Sequence, residues 1–251
     1  MTQVRRQSFD EYLRQMSELS WRPLPSGLEA PSFMRPPATT RLRLGVAAHV
    51  PQLVRNSATR LMAPLSRRRL RGLAAGPGPI RIHMGCGPVP LPGWLNIDVV
   101  GSLANVAWDL AQPLPLPAGS ASAIFHEHFL EHLPLAAAVA NLRECWRLLE
   151  AGGILRVGVP DFGRHARSYA EESEYLRHQR PGRPTPLIAL SELIYTFEHR
   201  SVWDGETLVE LLREVGFADV AVRPHGDSRI QPPPDGAGRE GETLYVEAVK
   251  R

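Results

Sequence analysis

From Ile80 onward the chain alternates short apolar runs with longer stretches of helical period. Segments 80–84, 94–98, 105–108, 122–126, 153–159, 218–223 and 243–249 are rich in aliphatic and β-branched residues and bounded by Gly, Pro or Asp. They read as strands. Between them, 137–150 places Val139, Leu142, Cys145, Trp146 and Leu149 on one helical face and stops at Gly152-Gly153. A second helix is predicted over 205–215, ending at Gly216. Strands alternating with helices give an α/β fold with a mostly parallel sheet covered on both faces. The last two strands have no helix between them, so one of that pair is expected to run antiparallel.

Upstream the pattern changes. Ser8-Phe9-Asp10-Glu11 reads as a capping box, with Phe9, Tyr12, Leu13, Met16 and Leu19 at helical spacing behind it. These predict an amphipathic helix over 9–19. Prolines 23, 25, 31, 36 and 37 make the next stretch extended. A second helical region over 40–73 is expected to be interrupted at Pro51 and Pro64. Gly76-Pro77-Gly78-Pro79 marks a boundary, which divides the chain into an N-terminal helical, Pro-rich arm (1–78) and a body (79–251).

Charge sharpens that division. Residues 1–75 carry 13 Arg against 4 acids, a balance of +9. The remainder carries 16 bases against 22 acids, or −6, so the formal net charge of +3 conceals a basic arm on an acidic body. The chain shows no apolar run of membrane-spanning length and no secretory signal at its start. Cys86 and Cys145 are too few for a disulfide framework. A cytoplasmic protein is therefore expected.

The candidate chemistry begins where the first strand ends. Ile80-Arg81-Ile82-His83-Met84 runs into Gly85-Cys86-Gly87, and Gly93-Trp94-Leu95-Asn96-Ile97 ends in Asp98. Glycines allow close backbone approach to a ligand, and a carboxylate at the end of the next strand can accept both ribose hydroxyls. A nicotinamide dinucleotide fits less well. Its fingerprint needs a third glycine opening a full helix and an acid about 20 residues on. A two-glycine turn without a pyrophosphate cradle suits S-adenosylmethionine (SAM), which carries no phosphate.

Those residues, with Trp108-Asp109-Leu110, Leu130-Glu131-His132-Leu133 and Ala151-Gly152-Gly153-Ile154-Leu155-Arg156-Val157, resemble a class I SAM-dependent methyltransferase over roughly residues 80–251. The compressed G-C-G … G-W-x-N-x-D pattern is similar to that of a subgroup often associated with glycan or glycoside biosynthesis. The resemblance implies a Rossmann-like sheet and SAM as cofactor. It further implies that Gly85, Cys86 and Gly87 lie under the methionine and ribose, that Asp98 holds the ribose hydroxyls, and that Asp109 meets the adenine with Leu110 packed on the ring. His83, which stands where an acidic residue is often found, and Glu127 are counted with this cofactor-facing set. Ala123 replaces an Asp common in the fourth strand.

His126-Glu127-His128-Phe129-Leu130-Glu131-His132 also contains H-x-x-E-H, a zinc-protease pattern. That reading needs a long helix and a third distal ligand, and it leaves the glycine turn unexplained, so no metal is expected here. Ligands in open α/β sheets sit beyond the carboxyl ends of the strands. His128 is accordingly the first candidate for a general base, with Asp161 and His199 as further catalytic candidates; Asp161 could equally cap a helix. His132 reads as structural, His165, His178 and His225 as surface or loop residues, and 232–238 as a mobile connection. The acceptor is expected to be a small molecule or glycan methylated at a sugar hydroxyl. RNA or an amine is the alternative acceptor, and a non-catalytic SAM-binding scaffold the alternative class. For the arm, four roles stand open: a lid or homodimerisation element, peripheral contact with a membrane surface, contact with nucleic acid through Arg67–Arg71 (disfavoured by the scarcity of aromatics), or a solvated basic face.

Overall fold

The computed structural model describes residues 52–74, 76, 78–100, 102–171, 174–179, 185–195 and 198–251. The predicted helix over 9–19 and the extended segment after it lie outside the described residues. The elements follow in the order α1 (Gln52–Ala74), β1 (Ile80–Met84), β2 (Leu95–Asp98), β3 (Val106–Ala107), β4 (Ala121–Glu127), a 3-10 turn (Leu130–His132), α2 (Leu135–Leu148) and β5 (Leu149–Pro160). Then come α3 (Phe162–Ala170), α4 (Tyr175–Gln179), α5 (Pro186–Tyr195), α6 (Gly205–Val215), β6 (Ala218–Arg223) and β7 (Thr243–Val249).

The seven strands form one sheet in the order β3-β2-β1-β4-β5-β7-β6. The first five pair in parallel, whereas β7 lies antiparallel between β5 and β6. This is the Rossmann-like α/β sheet implied by the resemblance, with the expected antiparallel strand in its last pair. The strand turns around because the β6–β7 connection contains no helix to carry it back across the sheet.

The two faces of the sheet are covered differently. On one face Ile82, Met84, Ile124 and Val157 are buried against Leu142 and Cys145 of α2. Helix α6 lies beside α2, with Trp146 Nε1 donating to the Gly216 carbonyl at 3.2 Å. Asp204 caps the start of α6 by accepting from Thr207 N, and Gly216 ends it at φ +112°. Among the described residues no helix joins β1 to β2, or β3 to β4, and over Arg156 the opposite face is covered by irregular chain.

That cover is residues 224–242, and it is anchored rather than mobile. Arg156, in the middle of β5, is fully buried on this face, in register with Phe125 of β4 and Glu247 of β7. Its guanidinium donates Nε and Nη2 to the two oxygens of Asp235, each at 2.5 Å, and further bonds reach the carbonyls of Asp227 (2.9 Å) and Pro224 (3.1 Å). Glu247 lies 3.5 Å from Nη1 and accepts from Ser228 Oγ at 2.6 Å. A guanidinium is tolerated without water only where its donors are met in this way. The segment thus forms a strap across the sheet, because it supplies most of the acceptors that Arg156 uses.

Helix α1 runs unbroken through Pro64, which was expected to interrupt it. Thr59, Ser66 and Leu70 form one buried stripe, and Pro64 is on the exposed side, where water can satisfy the carbonyl left without its donor. The helix is tied to the end of β2: Arg55 Nε donates to the Val100 carbonyl (3.0 Å), and Val100 N donates to Thr59 Oγ1 (2.8 Å). No helix among the described residues is long and apolar enough to cross a membrane.

The strap makes a testable claim about stability. Asp235→Ala leaves Arg156 buried with Glu247 as its remaining carboxylate, which should cost about 3–5 kcal/mol. At roughly 2–4 °C per kcal/mol for a domain of this size, the melting temperature should fall by about 10 °C. Replacing both partners with apolar residues of similar volume (Arg156→Met with Asp235→Leu) should recover most of that loss in a thermal unfolding series. Equal damage from the single and double replacements would show that the strap is not held by this pair.

Candidate functional site

The order of strands reverses between β1 and β4, since β1 continues to β2 on one side and β4 to β5 on the other. A crevice at the carboxyl ends of the strands follows from that topology. The Gly85–Gly87 turn lies at its edge. Gly85 adopts φ +68°, and a Cβ there would sit 2.6 Å from Phe129, so both conformation and space require glycine. Gly85 N donates to the Ile97 carbonyl at 2.8 Å, which stitches the turn to β2.

Asp98 completes the arrangement. Its Oδ2 accepts from Gly87 N and its Oδ1 from Val99 N, each at 2.6 Å. Burial raises its pKa above the ordinary carboxylate value, against the opposing pull of the Gly87 and Val99 amides. A carboxylate has about four lone-pair sites; two are used by the backbone, leaving two for external donors. Cys86 is buried, and desolvation followed by the Asp98 charge pushes its thiol up to about 12, so the sulfur stays protonated and unreactive.

Beyond β3, Trp108 N donates to the Asp98 carbonyl at 2.8 Å, bringing Asp109 next to the Asp98 strand end. Asp109 Oδ1 accepts from Ala111 N (3.1 Å), and Arg60 of α1 reaches Oδ2 at 3.5 Å. Leu110 is buried and lines a cleft of about 290 Å³ with Asn141, Glu144 and Arg147.

His83 and Glu127 are engaged elsewhere. His83 Nδ1 bonds Asn96 Oδ1 at 3.1 Å, its ring packs on Phe125, and burial lowers its pKa to about 4. Glu127 holds the strap: Oε1 accepts from Tyr245 Oη at 2.5 Å and from Gly236 N at 3.0 Å. A Cβ at Gly236 would fall against Glu127 Oε2, so a side chain there would displace the Glu127 carboxylate.

The catalytic candidates separate. His128 has a positive φ of 51° and bonds Thr243 Oγ1 through Nε2 at 2.8 Å; burial lowers its pKa to about 4. Its Nδ1 is 3.6 Å from Glu131 Oε1, and His199 Nε2 is 4.0 Å from the same oxygen. His128 and His199 thus meet across Glu131, whose buried carboxyl is pushed up to about 8 by desolvation. Asp161 stands apart as the N-cap of α3, accepting from Arg164 N at 2.8 Å, and it lines a cleft of about 420 Å³ with His225, Glu240, Thr243 and Tyr245. His165 is buried rather than a surface residue, with Nδ1 bonded to the Asp161 carbonyl at 2.7 Å. His132, read as structural, is exposed. The H-x-x-E-H run spans a strand end and a 3-10 turn, so the helix required by the protease pattern is not formed.

No protein-family model matches this chain, and no curated protein sequence does. Among solved structures, a SAM-dependent methyltransferase from Archaeoglobus fulgidus is similar with a TM-score of 0.46 at 16% identity, covering 74% of this chain and 94% of that one. Another, from Thermotoga maritima, reaches 0.45 at 20% identity, covering 80% and 95%. A phosphoethanolamine N-methyltransferase of Haemonchus contortus, with S-adenosyl-L-methionine bound, reaches 0.44 at 11% identity, covering 73% and 52%. With scores at this level, the fold assignment rests on the strand order itself.

Two histidines behind the site predict its acid sensitivity. His126 is fully buried with neither ring nitrogen hydrogen-bonded, and burial followed by the nearby His83 lowers its pKa to about 3. His83, at about 4, behaves alike. Both bind a proton near pH 6.5 when unfolded but resist it when folded. The stability contributed by these two histidines is therefore complete above about pH 6.5 and declines as pH falls toward 4. His126→Leu should add about 1 kcal/mol at neutral pH by removing two unsatisfied polar atoms. It should also flatten the acid limb in urea unfolding measured from pH 7 to 4. An unchanged acid limb would mean that His126 is solvated in the folded state.

Proposed function

We propose that this chain is a SAM-dependent methyltransferase that methylates a hydroxyl group of a sugar-containing acceptor. The observation that carries the cofactor assignment is Asp98. It is a carboxylate oriented by the Gly87 and Val99 amides, with lone pairs remaining, at the end of β2 beside a turn that excludes side chains. Two vicinal hydroxyls need this arrangement, and the turn lets the backbone lie against the rest of the nucleoside. Asp109 and Leu110 follow where an adenine edge and face would be met. Helix α1, bound to Val100 and reaching Asp109, closes that side as a lid.

When bound, SAM supplies an electrophilic methyl group on a sulfonium. The residues supply position and proton management. Gly85, Gly87 and Asp98 would hold SAM so that its methyl group could pass to an acceptor oxygen, with S-adenosylhomocysteine as the co-product. Most of the acceleration in such a transfer comes from alignment. A sugar hydroxyl must also lose its proton. His128, at the carboxyl end of β4 and held by Thr243, is the group we assign to receive it. The assignment of a sugar acceptor is supported by the resemblance of the G-C-G … G-W-x-N-x-D pattern, which the chain carries in full.

Calorimetric titration with S-adenosylhomocysteine should show micromolar binding, weakened about tenfold or more in Asp98→Ala, or at least about 1.4 kcal/mol. His128→Ala should leave that affinity within about threefold while lowering turnover on a sugar acceptor about a hundredfold. Failure of the folded wild-type chain to bind S-adenosylhomocysteine would overturn the cofactor assignment. Full turnover in His128→Ala would remove the proposed base.

A further inference from the structure

Glu131 is the most anomalous side chain among the described residues. It sits on the 3-10 turn after β4 with its side chain 2% exposed, and neither carboxylate oxygen makes a hydrogen bond. A buried carboxyl in that state costs several kcal/mol unless another partner satisfies it. Its surroundings indicate which kind. His199 Nδ1 bonds the Leu193 carbonyl. A carbonyl can only accept, so Nδ1 carries a proton, which leaves Nε2, 4.0 Å from Glu131 Oε1, as the ring's ligating atom. Imidazoles that ligate metals show this arrangement, with one nitrogen donating to a backbone carbonyl and the other directed at the ion.

His132 supplies a third donor. Its ring meets that of His199 edge to face, with centroids 5.0 Å apart, and one donor atom from each of Glu131, His132 and His199 lies within 4.8 Å of the others. Two backbone bonds fix the loop that brings them together. Arg200 N and Ser201 N both donate to the Glu131 carbonyl, at 2.7 and 3.1 Å, so the segment bearing His199 is tied to the turn bearing Glu131.

We propose that Glu131, His132 and His199 form a binding site for a divalent transition-metal ion of the zinc type, with a fourth position open to water or another oxygen ligand. Two imidazoles and a carboxylate suit Zn²⁺ or Co²⁺, whereas Mg²⁺ and Ca²⁺ take oxygen ligands. Bonds of about 2.1 Å would bring tetrahedral donors to about 3.4 Å from one another. The trio therefore contracts by roughly an ångström on loading, and the exposed His132 is the member with room to move. None of its ligands belongs to the Asp98 turn, but Glu131 also lies 3.6 Å from His128 Nδ1, so loading is read by metal uptake rather than by turnover.

The test uses the full chain, stripped with a chelator and titrated with Co²⁺ by visible absorption and with Zn²⁺ by calorimetry. One equivalent of each should bind, Zn²⁺ at micromolar affinity or tighter, with Co²⁺ giving the strong visible bands of a four-coordinate site. Glu131→Gln, which preserves shape, and His132→Ala, which alters an exposed residue, should each weaken Zn²⁺ binding about tenfold or more. His178→Ala, at an exposed histidine elsewhere, should not. Absence of stoichiometric uptake would overturn the proposal, as would uptake indifferent to both substitutions. Zn²⁺ binding without S-adenosylhomocysteine binding would leave this site standing and remove the methyltransferase reading; the reverse result would do the opposite.

Discussion

The structure depends on one buried cation. Arg156 lies in the central part of the sheet, on a face that no helix of the β1–β4 region covers, and a guanidinium there must be given acceptors from somewhere else in the chain. Asp235 and the carbonyls of Pro224 and Asp227 provide them, which draws residues 224–242 across the sheet. Once there, the strap brings Gly236 to Glu127. The same connection delivers the start of β7, where Thr243 meets His128. The site end of β4 is thus oriented by an ion pair in the middle of the neighbouring strand.

Most of the sheet was legible from the sequence because its strands are short runs rich in aliphatic and β-branched residues, bounded by turn residues. β1, β6 and β7 begin and end where the pattern predicts, and α6 does too, since Asp204 and Gly216 mark its ends by side-chain and backbone chemistry. The antiparallel turn of β7 followed from a missing helix. What failed were inferences about interruption and cover. Pro64 lies within a helix whose buried stripe outweighs its local cost, and 232–238 looked mobile because Pro and Gly say nothing about a distant Arg. A signal for the strap existed: Arg156 is the only charge in the run Gly152–Val159, and a charge amid such a strand demands partners.

The site divides along the same line. The mutual arrangement of Gly85, Gly87 and Asp98 could be read because they are close in sequence and their bonds are local. Glu127 could not, since its role is set by Tyr245 and Gly236, more than a hundred residues away. His199 was singled out, but its association with Glu131 arises from two backbone bonds to the 3-10 turn, which no spacing rule reveals. H-x-x-E-H drew attention to the right segment for a geometry it does not adopt; Glu131 and His132 come together with His199 through a loop instead of along a helix.

Phe129 gives this arrangement a further property. Its ring occupies the space a side chain at Gly85 would fill, and the residue itself leads into the turn that carries Glu131. A ligand seated on the glycine turn and an occupant of the imidazole–carboxylate trio therefore press on opposite ends of one short, stiff segment. Whatever coupling passed through Phe129 would change both affinities by the same factor, by thermodynamic reciprocity. One aromatic ring thus stands between the glycine turn and the turn that carries Glu131, and a ligand that displaced it from one side would move the other.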